Sequence, residues 1–377
     1  MDFDLTDEQR LLSETLDRFV ADRYGFEDRL HAMREPDGFS RTLWSELAEL
    51  GVLGLAFSEA DGGFGGSGVD MMIVMEAIGR GLLVEPFFAT AVLGGGALRR
   101  AGSAVQKADR VEALIAGGHI MALAHHETGG PRHTIDRLMT GVERTGDGWR
   151  LSGGKISVIA GAAADELVVS AIGAAGVSLF LVDAKAPGVT IRPRRGYDGI
   201  GLADIAFDDV MLGDDALLGA AGAGAPILTA LFEEANAALC AEAVGIMADM
   251  LAMTVEYLNT RTQFGVAIGS FQALQHRAVD MLMQVELARS MAILAALSLD
   301  RTPDERWRNI AAAKAKIGEA GRLVGQQAVQ LHGAIGLTME YKIGHAFKRL
   351  TAIDALFGDA DHHLDALADA GGLIPIG

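Results

Sequence analysis

The residues best suited to chemistry fall in two short segments: Arg261-Thr262-Gln263-Phe264-Gly265, with Gln272 seven residues beyond, and Gln330-Leu331-His332-Gly333-Ala334-Ile335-Gly336. A guanidinium is a fixed fork of donors that matches two oxygens of one anion better than a lysine does. A glycine-rich turn lets backbone N–H groups approach a bound group with no Cβ in the way. Alone, the first segment has a plainer reading, since an arginine ending a helix beside a glycine is usually a solvated cap. Carboxylates that could take a proton include Glu234, beside Glu233, and Asp359; the plainer reading of the glutamate pair is a helix start that favours the macrodipole. His125-His126 invites a metal, yet adjacent side chains on a strand point to opposite faces, and His362-His363 with Asp359 and Asp361 reads as a solvated polar segment. No metal site is expected. Cys240, the single cysteine, cannot form an internal disulfide and sits beside Leu239 among Ala237, Ala238 and Ala241, the setting of a core residue.

The elements that position these residues belong to a chain of 377 residues, longer than one hydrophobic core usually holds, so two or three packed domains are expected. Half the residues are apolar, enough for a large interior. Lys+Arg of 32 against Asp+Glu of 50 gives a formal charge of −18, which repels nucleic acid and anionic lipid, and no basic run offsets it. The opening Met1-Asp2-Phe3-Asp4-Leu5-Thr6-Asp7-Glu8 is acidic where a signal peptide is basic and then apolar. The long Ala/Gly/Leu stretches are interrupted before the roughly 20 residues a membrane span needs. A cytoplasmic protein with no nucleic-acid or membrane partner is the expectation.

Periodicity divides the chain into zones of 1–117, 118–222 and 223–377. The first is helical: Thr6 with Gln9 forms a capping box, and Leu5, Leu11, Leu12, Leu16, Phe19 and Val20 fall on one face. Leu50-Gly51-Val52-Leu53-Gly54-Leu55 and the turn Glu59-Ala60-Asp61-Gly62-Gly63-Phe64-Gly65 interrupt it before a helix carrying Glu76 and Arg80. The second zone has apolar runs of strand length, such as Ile120–Ala124, Glu166–Ser170, Val177–Val182 and Val189–Ile191, punctuated by Asp147-Gly148, Gly153-Gly154, Pro187-Gly188 and Asp198-Gly199. A small β-barrel or sandwich is the natural reading. The run from Gly219 to Ala225 is a linker, because it lacks the lysine and the preceding strand of a phosphate loop. The last zone returns to helical spacing, with Leu274, Val279, Met281, Leu282, Val285, Leu287 and Met291 available for a bundle interior and a subunit contact; methionine there is core filler.

With the two opening segments in their order and spacing, this α+β arrangement of helices, β domain and helical bundle resembles the acyl-CoA dehydrogenase family over nearly the whole chain. It is most similar to the small subunit of pimeloyl-CoA dehydrogenase-type two-subunit enzymes. The resemblance implies the family fold: a helical N-terminal domain, a central β-barrel domain and a C-terminal helical bundle. It implies FAD as cofactor and an acyl-CoA thioester as substrate, desaturated at the α,β bond as a carboxylate removes the α-proton and the β-hydrogen leaves as hydride. It also implies Arg261, Gln263, Phe264, Gln272, Gln330, Gly333, Ala334 and Gly336 as cofactor-binding residues of the half-site that one subunit lends to a neighbour's FAD pyrophosphate. Ala334 departs from the family, where a second glycine is usual.

The departures concentrate elsewhere. The family's catalytic glutamate stands sixteen residues after a tyrosine matching Tyr341, and that position is Phe357, followed by Gly358 and Asp359. A second family branch places it ten residues before a glycine matching Gly245, and that position is Ala235, with Asn236 where an arginine usually follows. No confident catalytic residue remains; Glu234 and Asp359 are weak substitutes. Thr-Glu-Pro and Gly-Ser-Asp are replaced within Ala124-His125-His126-Glu127-Thr128-Gly129-Gly130, while Ser157 and Ile159 replace the tryptophan and threonine that meet the flavin ring. The chain keeps the donated half of the site and loses the receiving half. The expected role is a partner subunit that completes flavin sites on a homologous large subunit, in an assembly of four. A homomeric dehydrogenase with an unconventional base and a flavin-free scaffold are the alternatives. An electron-transfer protein is a possible acceptor, and Arg132 with His133 could meet a dicarboxylate substrate's tail.

Overall fold

The computed structural model describes residues 5–130 and 134–372, so the expectations placed on Arg132, His133 and the first four residues lie outside the described residues. The first helices are α1 (Asp7–Arg23), α2 (Phe26–Ala32), α3 (Arg41–Glu49), α4 (Gly68–Gly81), α5 (Gly95–Ala101), α6 (Ala104–Ala108) and α7 (Val111–Ile115). Strands β1 (Met121–Ala124), β2 (Gly141–Thr145), β3 (Gly148–Ile159), β4 (Glu166–Gly173), β5 (Gly176–Asp183), β6 (Val189–Arg195), β7 (Gly201–Leu212) and β8 (Leu217–Leu218) follow. The C-terminal part holds α8 (Gly224–Thr260), the hairpin β9 (Thr262–Gln263) and β10 (Val266–Ala267), then α9 (Gln272–Ser298), α10 (Pro303–His332), α11 (Lys342–Ala355) and α12 (Ala360–Asp369). Contacts group the chain into two compact units, one of Met1–Arg29, Gly68–Leu83 and Asn236–Gly377, the other of Leu30–Ser67 and Val84–Ala235.

In the first unit α1 starts at the expected capping box, Thr6 with Gln9. Its buried stripe is narrower than the sequence suggests: Leu16 and Phe19 are buried, but Leu11 is 61% exposed. The cause is geometric, since at about 100° per residue the set from Leu5 to Val20 spreads over more of the helix than α4 covers. Helices α4 and α8 cross at paired glycines. A Cβ on Gly79 would lie 2.0 Å from the Glu242 carbonyl oxygen, and one on Gly245 would lie 1.9 Å from that of Glu76. Only two bare Cα positions allow backbones so close. Glu76 receives Arg289 at 2.6 Å, and Arg80 pairs with Asp17. Glu242 and Arg349, both buried, form a two-pronged pair at 2.6 and 2.9 Å that ties α8 to α11.

In the second unit the strands form one mixed sheet in the order β6-β7-β3-β2-β4-β5-β8, with β1 parallel to β4 from Met121 against Glu166 to Ala124 against Val169. The turn-punctuated apolar runs are strands β1, β4, β5 and β6 of this one sheet, and among the described residues no ladder joins β6 to β8. Before it, Phe88–Gly94 is a wholly buried π-helical turn. Gly94 lets it touch β1, because a Cβ there would lie 2.5 Å from that of Met121.

Helices α8 and α9 are long and apolar enough to cross a membrane by length and composition, a feature that the interruption of their apolar runs conceals in the sequence. The most apolar window of α8 is 67% buried inside the fold, that of α9 only 39%. Met281 and Val285 face the interior, whereas Val279, Leu282, Met283 and Leu287 are each about half exposed. The expected interior set is therefore divided between two faces, and methionine is core filler only at positions such as Met247, Met250 and Met281.

Candidate functional site

The first segment begins where α8 ends. The Arg261 N–H still donates to Tyr257 O at 2.9 Å, and the chain then reverses through the β9–β10 hairpin, with Gln263 opposite Val266. Phe264 and Gly265 are its two turn residues, at φ 54° and 81°. A tight hairpin asks for two left-handed residues, normally Asn-Gly, because their twist matches that of the strands. A phenylalanine held there carries backbone strain on the order of 1 kcal/mol or more. It is also 92% exposed and meets Phe271 edge-on at 6.2 Å. Arg261, Gln263 and Gln272 are exposed too, and the Arg261 guanidinium has no hydrogen-bond or ion-pair partner among the described residues.

The second segment ends α10. Gly333 adopts φ 68° and ψ −143°, a conformation essentially closed to any other residue, and a Cβ on it would meet open space. The glycine is needed for its backbone, and the space in front of it is free for a ligand. Gly333–Leu337 then turns as a 3-10 helix in which Ala334 has no positive φ, so its methyl group strains nothing. Gln330, Gly333 and Ala334 are exposed, whereas Gly336 is buried with its Cα facing His332 and Val329.

Residues without an assigned role in the sequence join the two segments. Tyr257, one turn before Arg261, stacks on His332 at 4.6 Å and 28°, and Tyr341, just before α11, packs on the same imidazole at 5.2 Å. The buried His332 sets Nδ1 2.8 Å from Ala328 O, and since a carbonyl only accepts, that nitrogen carries the proton. Burial lowers the pKa of His332 and keeps the ring neutral, with Nε2 buried and without a hydrogen-bond partner. Tyrosines one turn before an arginine and just before a helix are the sequence signal that could have found this stack.

Around Phe357 and Ala235, where the resemblance leads one to expect a base, the described residues hold their nearby carboxylates in other contacts. Phe357 sits at φ 54°, and its turn is held by the buried Lys314, whose Nζ donates to the carbonyls of Asp354, Leu356 and Gly358 at 2.7 to 3.0 Å. Asn236 donates to Phe357 O at 3.3 Å. Burial draws the Lys314 pKa down to about 8, and Cys240, fully buried, is pushed up to about 12, which makes its thiol inert. Neither substitute base is favoured. Glu234 accepts from Arg99 at 2.7 Å and from Arg100 at 2.5 Å, and Asp359 caps α12 by accepting the His362 N–H at 2.8 Å.

On the β domain, the loop after β1 is anchored by a buried polar chain. Lys155 Nζ donates to Glu127 Oε1 at 2.7 Å, to His125 O at 3.1 Å and to Ser170 Oγ at 3.2 Å. Ser170 meets His125 Nδ1 at 2.8 Å, and His125 Nε2 donates to Thr134 O at 2.9 Å. Burial lowers the His125 pKa to about 4. Burial works to raise that of Glu127, but its bonds from Lys155, Thr140 and Met139 win and hold it at about 2. Burial pulls Lys155 to about 8 against the pull of Glu127, so the pair stays ionised at neutral pH. A cavity of about 250 Å³ lies beside the chain, lined by His126, Glu127, Arg137 and Met139 among others. The adjacent histidines do take different environments, His125 buried and His126 half-buried, but they follow β1 rather than lie in it. Ser157, at φ 52°, uses its N–H on Asp204 at 3.0 Å. Arg261 and Gly333 thus offer an exposed guanidinium and an uncovered glycine backbone, donors of the kind that suit a diphosphate.

Comparison with known proteins agrees along the whole chain. The acyl-CoA dehydrogenase N-terminal, middle and C-terminal domain families match residues 6–118, 122–210 and 222–372. The probable acyl-CoA dehydrogenase YngJ of Bacillus subtilis is 28% identical, covering 91% of this chain and 92% of its own. Among solved structures, the ChsE4-ChsE5 complex of Mycobacterium tuberculosis superposes with a TM-score of 0.90 at 27% identity over 100% of both chains. PigA with FAD and proline superposes at 0.91 with 27% identity over 99% of this chain and 100% of its own.

Proposed function

The chain belongs to the acyl-CoA dehydrogenase family of FAD-dependent oxidoreductases, and we propose that within it the chain is the partner subunit that completes a flavin site on a homologous large subunit. The observation that carries this reading is an asymmetry between two sets of positions. Seven of the eight residues of the donated half-site face solvent, Gly336 alone being buried, whereas Phe357 occupies the position of the base inside a turn tightly held by Lys314 and Asn236. Bound FAD would supply the hydride acceptor for the β-hydrogen of a CoA thioester whose α-proton goes to a carboxylate, and the two electrons would pass on to an acceptor protein.

The residues of this chain then have binding roles. Arg261 would hold the pyrophosphate through its guanidinium, Gln263, Gln272 and Gln330 would offer amide donors, and the Gly333 turn would present backbone with no Cβ in the way. Phe264 covers the site with an apolar ring. The carboxylate comes from the large subunit, in keeping with the arginine pairs on Glu234 and the capping duty of Asp359. The existence of a two-subunit relative, the ChsE4-ChsE5 complex, supports a heteromer, and the exposed apolar face of α9 supports an assembly of four. The division into domains at about 117 and 222 and a cytoplasmic location belong to the same reading.

Purified alone, the chain is expected to show less than about a thousandth of the turnover of a complete family member with a straight-chain acyl-CoA and a dye acceptor, since general-base catalysis alone contributes roughly 10²–10⁴-fold. Full turnover by the single chain sinks the proposal. In that event, loss of activity in Glu234→Gln or Asp359→Asn names the replacement base.

A further inference from the structure

The geometry points to Tyr257, His332 and Tyr341 as the positioning element of the flavin half-site: one buried imidazole clamps the Arg261 hairpin and the Gly333 turn into a fixed relation before any cofactor binds. This rests on the half-site reading above. The two segments lie on different helices, separated by some 70 residues from Arg261 to Gly333, and neither is rigid by itself. A two-residue hairpin is marginal in isolation, and a glycine at φ 68° is the most permissive residue of a chain. What each has is an aromatic neighbour at its root. Tyr257 accepts the Arg261 N–H on its own carbonyl, and His332 immediately precedes Gly333. Their face-to-face stack at 4.6 Å joins the roots, and Tyr341 closes the third side from the start of α11.

The imidazole is held in one pose. Its Nδ1–H donates to Ala328 O, one turn back on α10, which fixes ring rotation and tautomer. Its Nε2 is buried with no partner, so the structure spends a polar atom at this place without satisfying it. A leucine at this place would leave no polar atom unsatisfied, but it would offer no ring face to the two tyrosines. What the position supplies is a flat ring between two tyrosines, which a phenyl group can also supply and a leucine cannot. A clamp of this kind keeps the arginine fork and the glycine backbone at a constant spacing, so flavin binding need not order them.

Hydrogen–deuterium exchange on the full chain without flavin tests the clamp separately from cofactor chemistry. Tyr257→Leu and His332→Leu are expected to raise exchange at residues 262–266 and 333–337 by about tenfold, the size of a lost aromatic pair, with α9 and α11 unchanged. Tyr257→Phe and His332→Phe keep the rings and are expected to stay within about threefold of the parent. In the assembled flavoprotein the leucine variants should release FAD about tenfold faster, with the phenylalanine variants rescuing. Unchanged exchange in the leucine variants overturns the inference. So does a rise spread over the whole unit or a loss of helix, which would make the rings ordinary core, and so does loosening in the phenylalanine variants equal to that in the leucine ones. If exchange behaves as expected but Arg261→Ala leaves FAD release untouched, the half-site reading fails and the clamp stands.

Discussion

Arg261 lies at the end of a helix with its guanidinium in solvent, where a structural role would have given it a carboxylate or carbonyl partner. Removing it should therefore cost the fold little and the cofactor much. Arg261→Ala is expected to weaken flavin binding by about 1.5–3 kcal/mol, the range of a charge-assisted hydrogen bond, with the thermal midpoint of the chain itself unchanged. Flavin absorbance per subunit after dialysis of the assembly checks this, and full retention counts against the assignment. His125 presents the opposite situation, a group whose titration belongs to stability. Its pKa is about 4 in the fold against the ordinary 6.5, so the unfolded chain takes up the proton first as pH falls. The stabilisation is fully present above about pH 6.5 and is lost progressively toward pH 4, by on the order of 3 kcal/mol. In that window Glu127, near 2, stays ionised and Lys155, near 8, stays protonated, so within this cluster only the imidazole changes charge. Urea midpoints at pH 7 and pH 4.5 should therefore separate less in His125→Asn than in the parent, and equal separation would refute the assignment.

Helices here are positioned by backbone contact as much as by side-chain burial. The α4–α8 crossing has Gly79 and Gly245 each against a carbonyl oxygen of the other helix. Gly245→Ala gains a little intrinsic helix propensity, up to about 1 kcal/mol, but its methyl group would sit where the Glu76 carbonyl is. The helices must part, and overpacking of this kind costs about 1–3 kcal/mol or more. A net fall in stability by chemical denaturation is expected, and a stabilised Gly245→Ala would show that the crossing has slack. The turn after α11 illustrates the same reliance on backbone. Lys314 and Asn236 together donate to the carbonyls of Asp354, Leu356, Phe357 and Gly358, which holds a phenylalanine at positive φ. The turn thus fixes the backbone of Phe357, a residue whose side chain cannot accept a proton.

For the molecule as a whole, the balance of exposed apolar surface decides the expected assembly. Val279, Leu282, Met283 and Leu287 lie about half exposed on α9, and Ile335, Leu337 and Met339 are exposed beyond the glycine turn. A free monomer rarely leaves this much apolar side chain exposed along one helix. We expect four subunits in solution, formed preferentially with a homologous large subunit, by light scattering after co-expression. Leu282→Glu with Leu287→Glu should shift that assembly toward smaller species, because each places a charge in a dry contact. A stable monomer that ignores every such partner and holds no FAD would overturn both the assembly and the half-site.

By itself the amino-acid sequence determines the part of this protein that is encoded in local pattern. The helix–sheet–helix order, the capping box at Thr6 and Gln9, the strand runs and the two glycine-bearing segments all depend on residues near one another in the chain. Their period and turn chemistry leave a signal in a single sequence. The fate of individual side chains is legible only in part. Nothing local distinguishes the exposed Leu11 from the buried Leu16, or the exposed Leu282 from the buried Met281, because the difference lies in which helix covers which face. The same holds at the site. Arg261 and Gly333 announce themselves by type, but their joining through Tyr257, His332 and Tyr341 brings together three positions scattered over some 80 residues. Glu234 is an available carboxylate by its place in the chain, yet Arg99 and Arg100, more than 130 residues earlier, occupy its oxygens in the fold. Long-range pairing of that kind is set by the packing of the folded chain, and only tertiary structure decides it.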